Sequence, residues 1–218
     1  MIITISRQYA SGGGAVAAQV AEALGWTLVD NGFVDAVAAR AGLPREEVAE
    51  REERVPGFVE RLGAALARSS PELVGLTEPD AAVPPELRLV RITESVVNDL
   101  AASGRVVMVG RATPAVLSRE SGAIHVKVVA PLEARVRRAI ERLGVDPKEA
   151  TKRVQEVDAQ RQRYHREYYD RDWNDPANYH MVLNSSALGL EGAAAVVLGR
   201  ARAMGWASGE RGAVSGER

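Results

Sequence analysis

Residues 6–15, Ser6-Arg7-Gln8-Tyr9-Ala10-Ser11-Gly12-Gly13-Gly14-Ala15, carry the strongest chemical signal in the chain. Three successive glycines leave no Cβ between the backbone and a ligand, so their N–H groups can approach an anion closely. A short β-branched run from Ile2 to Ile5 precedes this stretch and predicts a buried strand. Beyond it, Val16, Ala17, Val20, Ala21 and Leu24 fall on one face at helical spacing. Strand, small-residue loop and helix together offer free N–H groups and a helix N-terminus to a phosphate. Ser11, Gly12, Gly13, Gly14 and Ala15 are therefore the expected phosphate-binding residues.

The phosphate-loop pattern G-x-x-x-x-G-K-[ST] is half present. Arg7 stands at the first glycine and Gly12 at the second. Gly13 stands at the lysine, and Gly14-Ala15 replace the hydroxyl-bearing positions. Arg7 could supply the missing positive charge from the other side of the loop. The dinucleotide fingerprint also fits, as Gly12-x-Gly14-x-x-Ala17 with Asp30 as ribose partner. In that motif the first glycine follows the strand almost directly. Here Ser6 to Ser11 intervene, which leaves room to wrap a phosphate chain.

Further charged groups fall where a ligand would meet them. Thr27-Leu28-Val29 predicts a second strand, with Asp30 at its carboxyl end, either facing a ligand or capping the helix expected over 33–41. Val106–Val109 is fully apolar and predicts a central strand, followed at once by Gly110-Arg111. A guanidinium at that edge can hold a phosphate bidentately. No aspartate ends this strand, so no metal-ligating carboxylate is expected there. The segment 133–171 is rich in arginine, and most of such a helical pair is a solvated face. Within it Asp158 and Arg161 are one turn apart and can pair, and Arg153 shares a face with Val157 and Arg161. Arg88 and Arg91 on the helix expected over 86–102 could reach an acceptor phosphate. His125 has no partner at ligand spacing and reads as a packed strand histidine. Tyr164, Tyr168, Tyr169 and Trp173 read as a cluster docking the end of the second helix onto the body.

The stretch Ser6-Arg7-Gln8-Tyr9-Ala10-Ser11-Gly12-Gly13, followed by Leu24-Gly25, resembles the opening of the cytidylate kinase-like family, a branch of the P-loop nucleoside monophosphate kinases. Gly110-Arg111, the Glu156-Val157-Asp158-x-x-Arg161-x-x-Tyr164 run and the strand Tyr179–Asn184 resemble it too, over about residues 1–200. The resemblance implies ATP as donor, with Mg²⁺, and a nucleoside monophosphate as acceptor. It places Asp30, Arg111 and Asp158 on the acceptor side. It makes Arg161, with Arg153 as a second, the catalytic cations of a helical lid, beside Arg7 as the catalytic cation of the loop by position alone, and Asn184-Ser185 opens the loop that holds the donor base. His180 stands where the family's last strand carries an aspartate, and Ala159 where a lysine is expected.

The elements that must position these residues fit a chain of 218 residues, 46% hydrophobic, long enough for one sizeable α/β core. The expected fold is a three-layer P-loop NTPase fold, with a parallel sheet of about five strands and crossover helices. A helical acceptor-binding insertion is expected over 43–104 and lid helices over 133–172, in a single domain spanning 1–206. Residues 207–218 read as a disordered tail. Twenty-eight basic against 29 acidic residues give a net charge of −1, without a nucleic-acid or membrane signature. The absence of cysteine excludes disulfides and thiolate metal sites. A cytoplasmic monomer or homodimer is expected.

The leading function is ATP-dependent phosphoryl transfer to a nucleoside monophosphate, CMP-like by resemblance. The alternative is a nucleotide-binding module that has lost turnover and serves regulation. A nicotinamide-dependent oxidoreductase rests on glycine spacing alone.

Overall fold

The computed structural model describes residues 1–30, 39–40 and 85–206. The helix expected over 33–41, the part of the expected insertion 43–104 that precedes residue 85, and the tail 207–218 lie wholly or almost wholly outside the described residues. Five strands form one parallel sheet: β1 (Ile2–Arg7), β2 (Thr27–Val29), β3 (Val106–Val109), β4 (Ala123–Val129) and β5 (Met181–Asn184). Their spatial order is β2-β3-β1-β4-β5, so the first strand is central. Register pairs Ile5 with Val109 on one side and Arg7 with Val128 on the other. The carboxyl ends of the strands therefore share one edge, which carries Arg7, Asp30, Gly110 and Asn184.

Helices cover both faces because strand side chains alternate. On one face Ile3, Ile5, Val107, Val109, Ile124, Val126 and Val128 pack under α1 (Gly13–Leu24) and α6 (Ser185–Ala203). Val16, Ala17, Val20 and Ala21 are the buried stripe of α1, as their spacing predicts. The helix stops at Gly25, whose left-handed backbone lets its N–H and that of Trp26 close on the last turn. On the other face Ile2, Val106 and Met108 meet Val96 and Val97 of α2 (Pro85–Ser103) and Leu117, just after the short α3 (Thr113–Val116).

The second face is also polar at its centre. Thr4, Ser6, His125 and Lys127 are all buried there. Thr4 Oγ1 lies 2.8 Å from His125 Nδ1, and Ser6 Oγ accepts from the indole N–H of Trp173. Lys127 donates to the carbonyl of Trp173 and to Asn174 Oδ1, with its ammonium 3.9 Å over the Trp173 ring. Trp173 thus fastens the connection after α5 to the sheet, and His165 packs against it. His125 is a packed strand histidine whose pKa is pushed down to about 4 by burial and then by its neighbour His180.

A helical pair, α4 (Leu132–Leu143) and α5 (Pro147–Tyr169), stands over the carboxyl edge. Asp146 caps α5 by accepting from the N–H groups of Lys148 and Glu149, and Pro147 fills the first position, where no N–H is needed. Ala139, Ala150 and Val154 close the pair, with Tyr9 and Ala10 of the glycine-rich loop packed against it.

Candidate active site

The loop between β1 and α1 is shaped by hydrogen bonds to its own neighbours. The Gln8 N–H donates to Val128 O, the Gln8 side chain accepts from Ala130 N–H, and Ser11 N–H closes back on Gln8 O. Ala10 and Gly12 take left-handed backbones, which turn the chain into α1. Gly12 is the N-cap and offers no side chain, so the first-turn N–H groups of Gly13, Gly14 and Ala15 carry no side-chain cap. Ser11 belongs to the scaffold: it is fully buried and its hydroxyl donates to Val128 O.

Arg7 leaves β1 and runs under this helix start. Its stem lies against Gly13, and its guanidinium occupies the space a Cβ on Gly110 would need. There it reaches Asp30, with Nη2 4.0 Å from Oδ1. Asp30 also faces Gly14, whose missing Cβ would stand 3.6 Å from Oδ2. Gly110 continues the β1–β3 ladder by donating to Ile5 O. Gly110, Arg111 and Ala112 then all take left-handed backbones, with φ of 77°, 55° and 51°. For the two non-glycine residues this costs about 1–2 kcal/mol each. The bend is held by Thr113, whose N–H and Oγ1 both donate to Gly110 O.

Arg111 follows Gly110, whose missing Cβ position the Arg7 guanidinium fills, so the turn sets the two arginines side by side along the chain. Burial pushes the Arg111 guanidinium down to about 10, and the charge of Arg7 adds to that. Arg161 of α5 joins them and is pushed down to about 9 by burial and then by Arg7, with Arg111 a smaller cause. Arg7 is itself lowered, first by burial, against the opposing pull of Asp30. Three guanidinium groups thus repel one another beside an uncapped helix start. Two carboxylates, Asp30 and Asp158, compensate them in part. Such an arrangement is matched to a ligand carrying more than one negative charge.

The remaining sequence candidates divide. Asp158 lies on α5 with its oxygens toward Tyr9 N–H and Arg135. Arg153 is half-buried on α5, about 12 Å along the axis from Arg161. Arg91 is exposed on α2, and the side chain of Arg88 lies outside the described residues. Spacing did not single out Arg135 and Arg138, which hold the loop from outside together with Ser185; the resemblance put Asn184-Ser185 at the opening of a loop, whereas Asn184 caps α6 and Ser185 is its first residue. Arg138 reaches Ala10 O and Ser185 Oγ, each at 3.4 Å, and Ser185 Oγ donates to Ser11 O. Next to them a groove of about 600 Å³ is lined by Ala134, Arg137, Arg138, Ser185, Ser186 and Gly189 among others.

The described residues do not build a metal site. No group of three acidic or histidine side chains converges among them, Ala15 brings no hydroxyl, and Asp30 is paired with Arg7. No helix among the described residues is long and apolar enough to cross a membrane.

The central β1, the glycine-rich loop running into α1 and the helices over the carboxyl edge define a P-loop kinase fold. Shikimate kinases share it: that of Bacteroides thetaiotaomicron matches at 11% identity and a TM-score of 0.52, over 93% of this chain and 98% of its own. The Acinetobacter baumannii enzyme, solved with shikimate, matches at 12% and 0.50, over 93% of each chain. An uncharacterized protein from Eubacterium ventriosum matches at 20% identity and a TM-score of 0.66, over 92% of this chain and 97% of its own. The model of the cytidylate kinase-like family matches residues 2–187, and the chain belongs to that family. No curated protein matches the sequence.

Proposed function

We propose that this protein transfers the terminal phosphoryl group of ATP to a nucleoside monophosphate, in the manner of a cytidylate kinase. The observation that carries this reading is that Arg161 donates to Arg7 O while the Arg7 side chain runs along Gly13 to the Cβ position of Gly110, next to Arg111, beside the uncapped start of α1. Phosphoryl transfer needs little covalent chemistry from the protein. It needs the reactants in line and the spreading negative charge stabilised. The N–H groups of Gly13, Gly14 and Ala15 take the donor phosphates, and Gly12 leaves room for them. The groove beside Ser185, Ser186 and Arg137 takes the donor base. Arg111, with Asp30 behind it, holds the acceptor phosphate. An oxygen of that phosphate attacks the γ-phosphorus, the bond to the β–γ bridging oxygen breaks, and ADP leaves with that oxygen. In this reading Arg161 and Arg7 stabilise the charge that develops on the transferring group, and Arg153 is the second arginine of α5 assigned to it. A divalent ion bound with the donor would supply further positive charge to the phosphates, and the described residues offer no cluster of ligands for it.

The test is ADP release from ATP, with Mg²⁺ present, against CMP, dCMP, UMP, AMP and GMP, beside the Arg111→Ala protein. Acceptor-dependent turnover that falls at least a hundredfold in the variant is expected. No turnover with any acceptor, while ATP still raises the melting temperature, would replace the kinase reading by that of a nucleotide-binding module.

A further inference from the structure

The outer side of the glycine-rich loop is held almost entirely by side chains of α4 and α5. Arg7 O accepts from Arg161 Nη1 at 2.6 Å, and Tyr9 N–H donates to Asp158 Oδ1 at 2.8 Å. Tyr9 O accepts from Arg135 Nη1 at 3.4 Å, and the Tyr9 hydroxyl accepts from Arg142, whose guanidinium also lies 4.9 Å from the ring centre. Ala10 O accepts from Arg138. Four backbone polar groups in four residues are thus satisfied by helices more than a hundred residues further along the chain.

Asp158 is the centre of this contact. Its other oxygen, Oδ2, forms an ion pair with Arg135 Nη1, and Arg161 Nη1 is 3.8 Å from Oδ1. Arg135 is buried and fixed at its base, where Nε donates to Ala130 O. Both carboxylate oxygens are therefore occupied by donors of the protein itself, and the side chain is 16% exposed. A carboxylate meant to read a ligand would keep an oxygen facing the cleft. This one faces the loop. Charge-assisted bonds of this kind, shielded from water, are stronger than neutral ones.

We propose that Asp158, with Arg135, is a positioning pair that fixes the conformation of the phosphate loop from behind, and that it does not read the acceptor. The pair clamps the Tyr9 peptide, sets the angle at which residues 10–12 enter α1, and so aims the N–H groups of Gly13 and Gly14. This rests on the reading of residues 11–15 as the donor-phosphate site, and its first readout does not need turnover.

That readout is amide hydrogen exchange of the 6–14 segment in the full chain, compared among wild type, Asp158→Asn, Arg135→Met and the double variant, with the β4 amides as internal reference. Either single variant is expected to speed exchange in 6–14 by about tenfold or more while β4 keeps its protection. The double variant is expected to be no faster than the worse single one, because the two groups act as one device. Arg135→Lys, which keeps the charge, should restore part of the protection. Unchanged exchange in both single variants, or additive effects, would overturn the proposal whether or not the protein is a kinase. If turnover is present, the variants should raise KM for ATP by one factor common to all acceptors. A change in acceptor preference in Asp158→Asn would return Asp158 to the acceptor site and overturn the proposal as well.

Discussion

The stem of Arg7 lies directly across Gly13: a Cβ added at residue 13 would stand 2.5 Å from Arg7 Cβ and 3.1 Å from its Cγ. The phosphate-loop pattern has its lysine at this residue. No lysine can leave the helix there while Arg7 holds that space, and none is needed if Arg7 brings the charge. Gly13→Lys alone is therefore expected to cost about 1–3 kcal/mol in stability through overpacking and to weaken ATP binding. Arg7→Ala should lower turnover by about 10²–10³. The double variant Arg7→Gly, Gly13→Lys should recover part of both losses. Calorimetric titration with ATP and thermal melts of the three proteins check this. Full activity in Arg7→Ala would end the idea.

Gly110 gives the second half of the same fit. Its φ of 77° favours glycine, and the Arg7 guanidinium fills its missing Cβ position. Gly110→Ala should lose about 1–2 kcal/mol for the backbone alone, with a further loss from displacing Arg7. In an Arg7→Ala background only the backbone part should remain. A double-mutant cycle by thermal melting measures the difference, and strict additivity would show that the two residues do not compete for space.

Arg111 trades stability for charge. It sits in a left-handed backbone and among like charges, two features that disfavour the unliganded protein. Arg111→Gly is expected to raise the melting temperature of the unliganded protein by a few degrees, since relief of about 1 kcal/mol has that effect in a chain of this size. It should at the same time abolish the stabilisation given by an added nucleoside monophosphate. A variant that melts lower without ligand and keeps the ligand-induced rise would contradict the role given to this residue.

Acid should unfold the protein through two buried histidines. His125 and His165 are each pushed down to about 4, chiefly by burial, then by His180 for the first and by Lys127 for the second. The unfolded chain binds their protons near pH 6.5. Between these values the unfolded state holds more protons, so stability rises with pH. It is fully present above about pH 6.5 and is lost as pH falls toward 4. Denaturant melts from pH 7 to 4 should show this slope, and His125→Gln should flatten it. A slope unchanged in that variant would place the acid sensitivity elsewhere.

How much of this was legible in the residues depended on whether a signal was local. The β-branched runs gave the strands, and the small-residue stripe gave α1, because both follow from the period of one element. Gly110-Arg111 announced itself by standing at a strand end. The arginines of 133–171 did not separate into working and idle ones. Arg135 and Arg138 are three residues apart on a highly charged helix, and nothing local says that this face is turned to the loop. Lys127 was hidden for a related reason. Ile124-His125-Val126-Lys127-Val128 alternates as a strand with one wet face would, yet Trp173 covers that face from forty-six residues away. Long-range cover leaves no trace in a window of ten residues.

The central place of β1 has a consequence for how the chain is made. Its neighbours are β3 and β4, and the bond from Tyr9 to Asp158 spans 149 residues. β1 is therefore made long before β4 and α5 and is among the last elements to complete its contacts. Ile2, Ile3 and Ile5 must wait, exposed, until more than half of the chain has followed, which favours slow folding and an interval of vulnerability to sticking. The phosphate loop gains its shape only when α5 has been synthesised, so a truncated nascent chain would carry the glycines without the site.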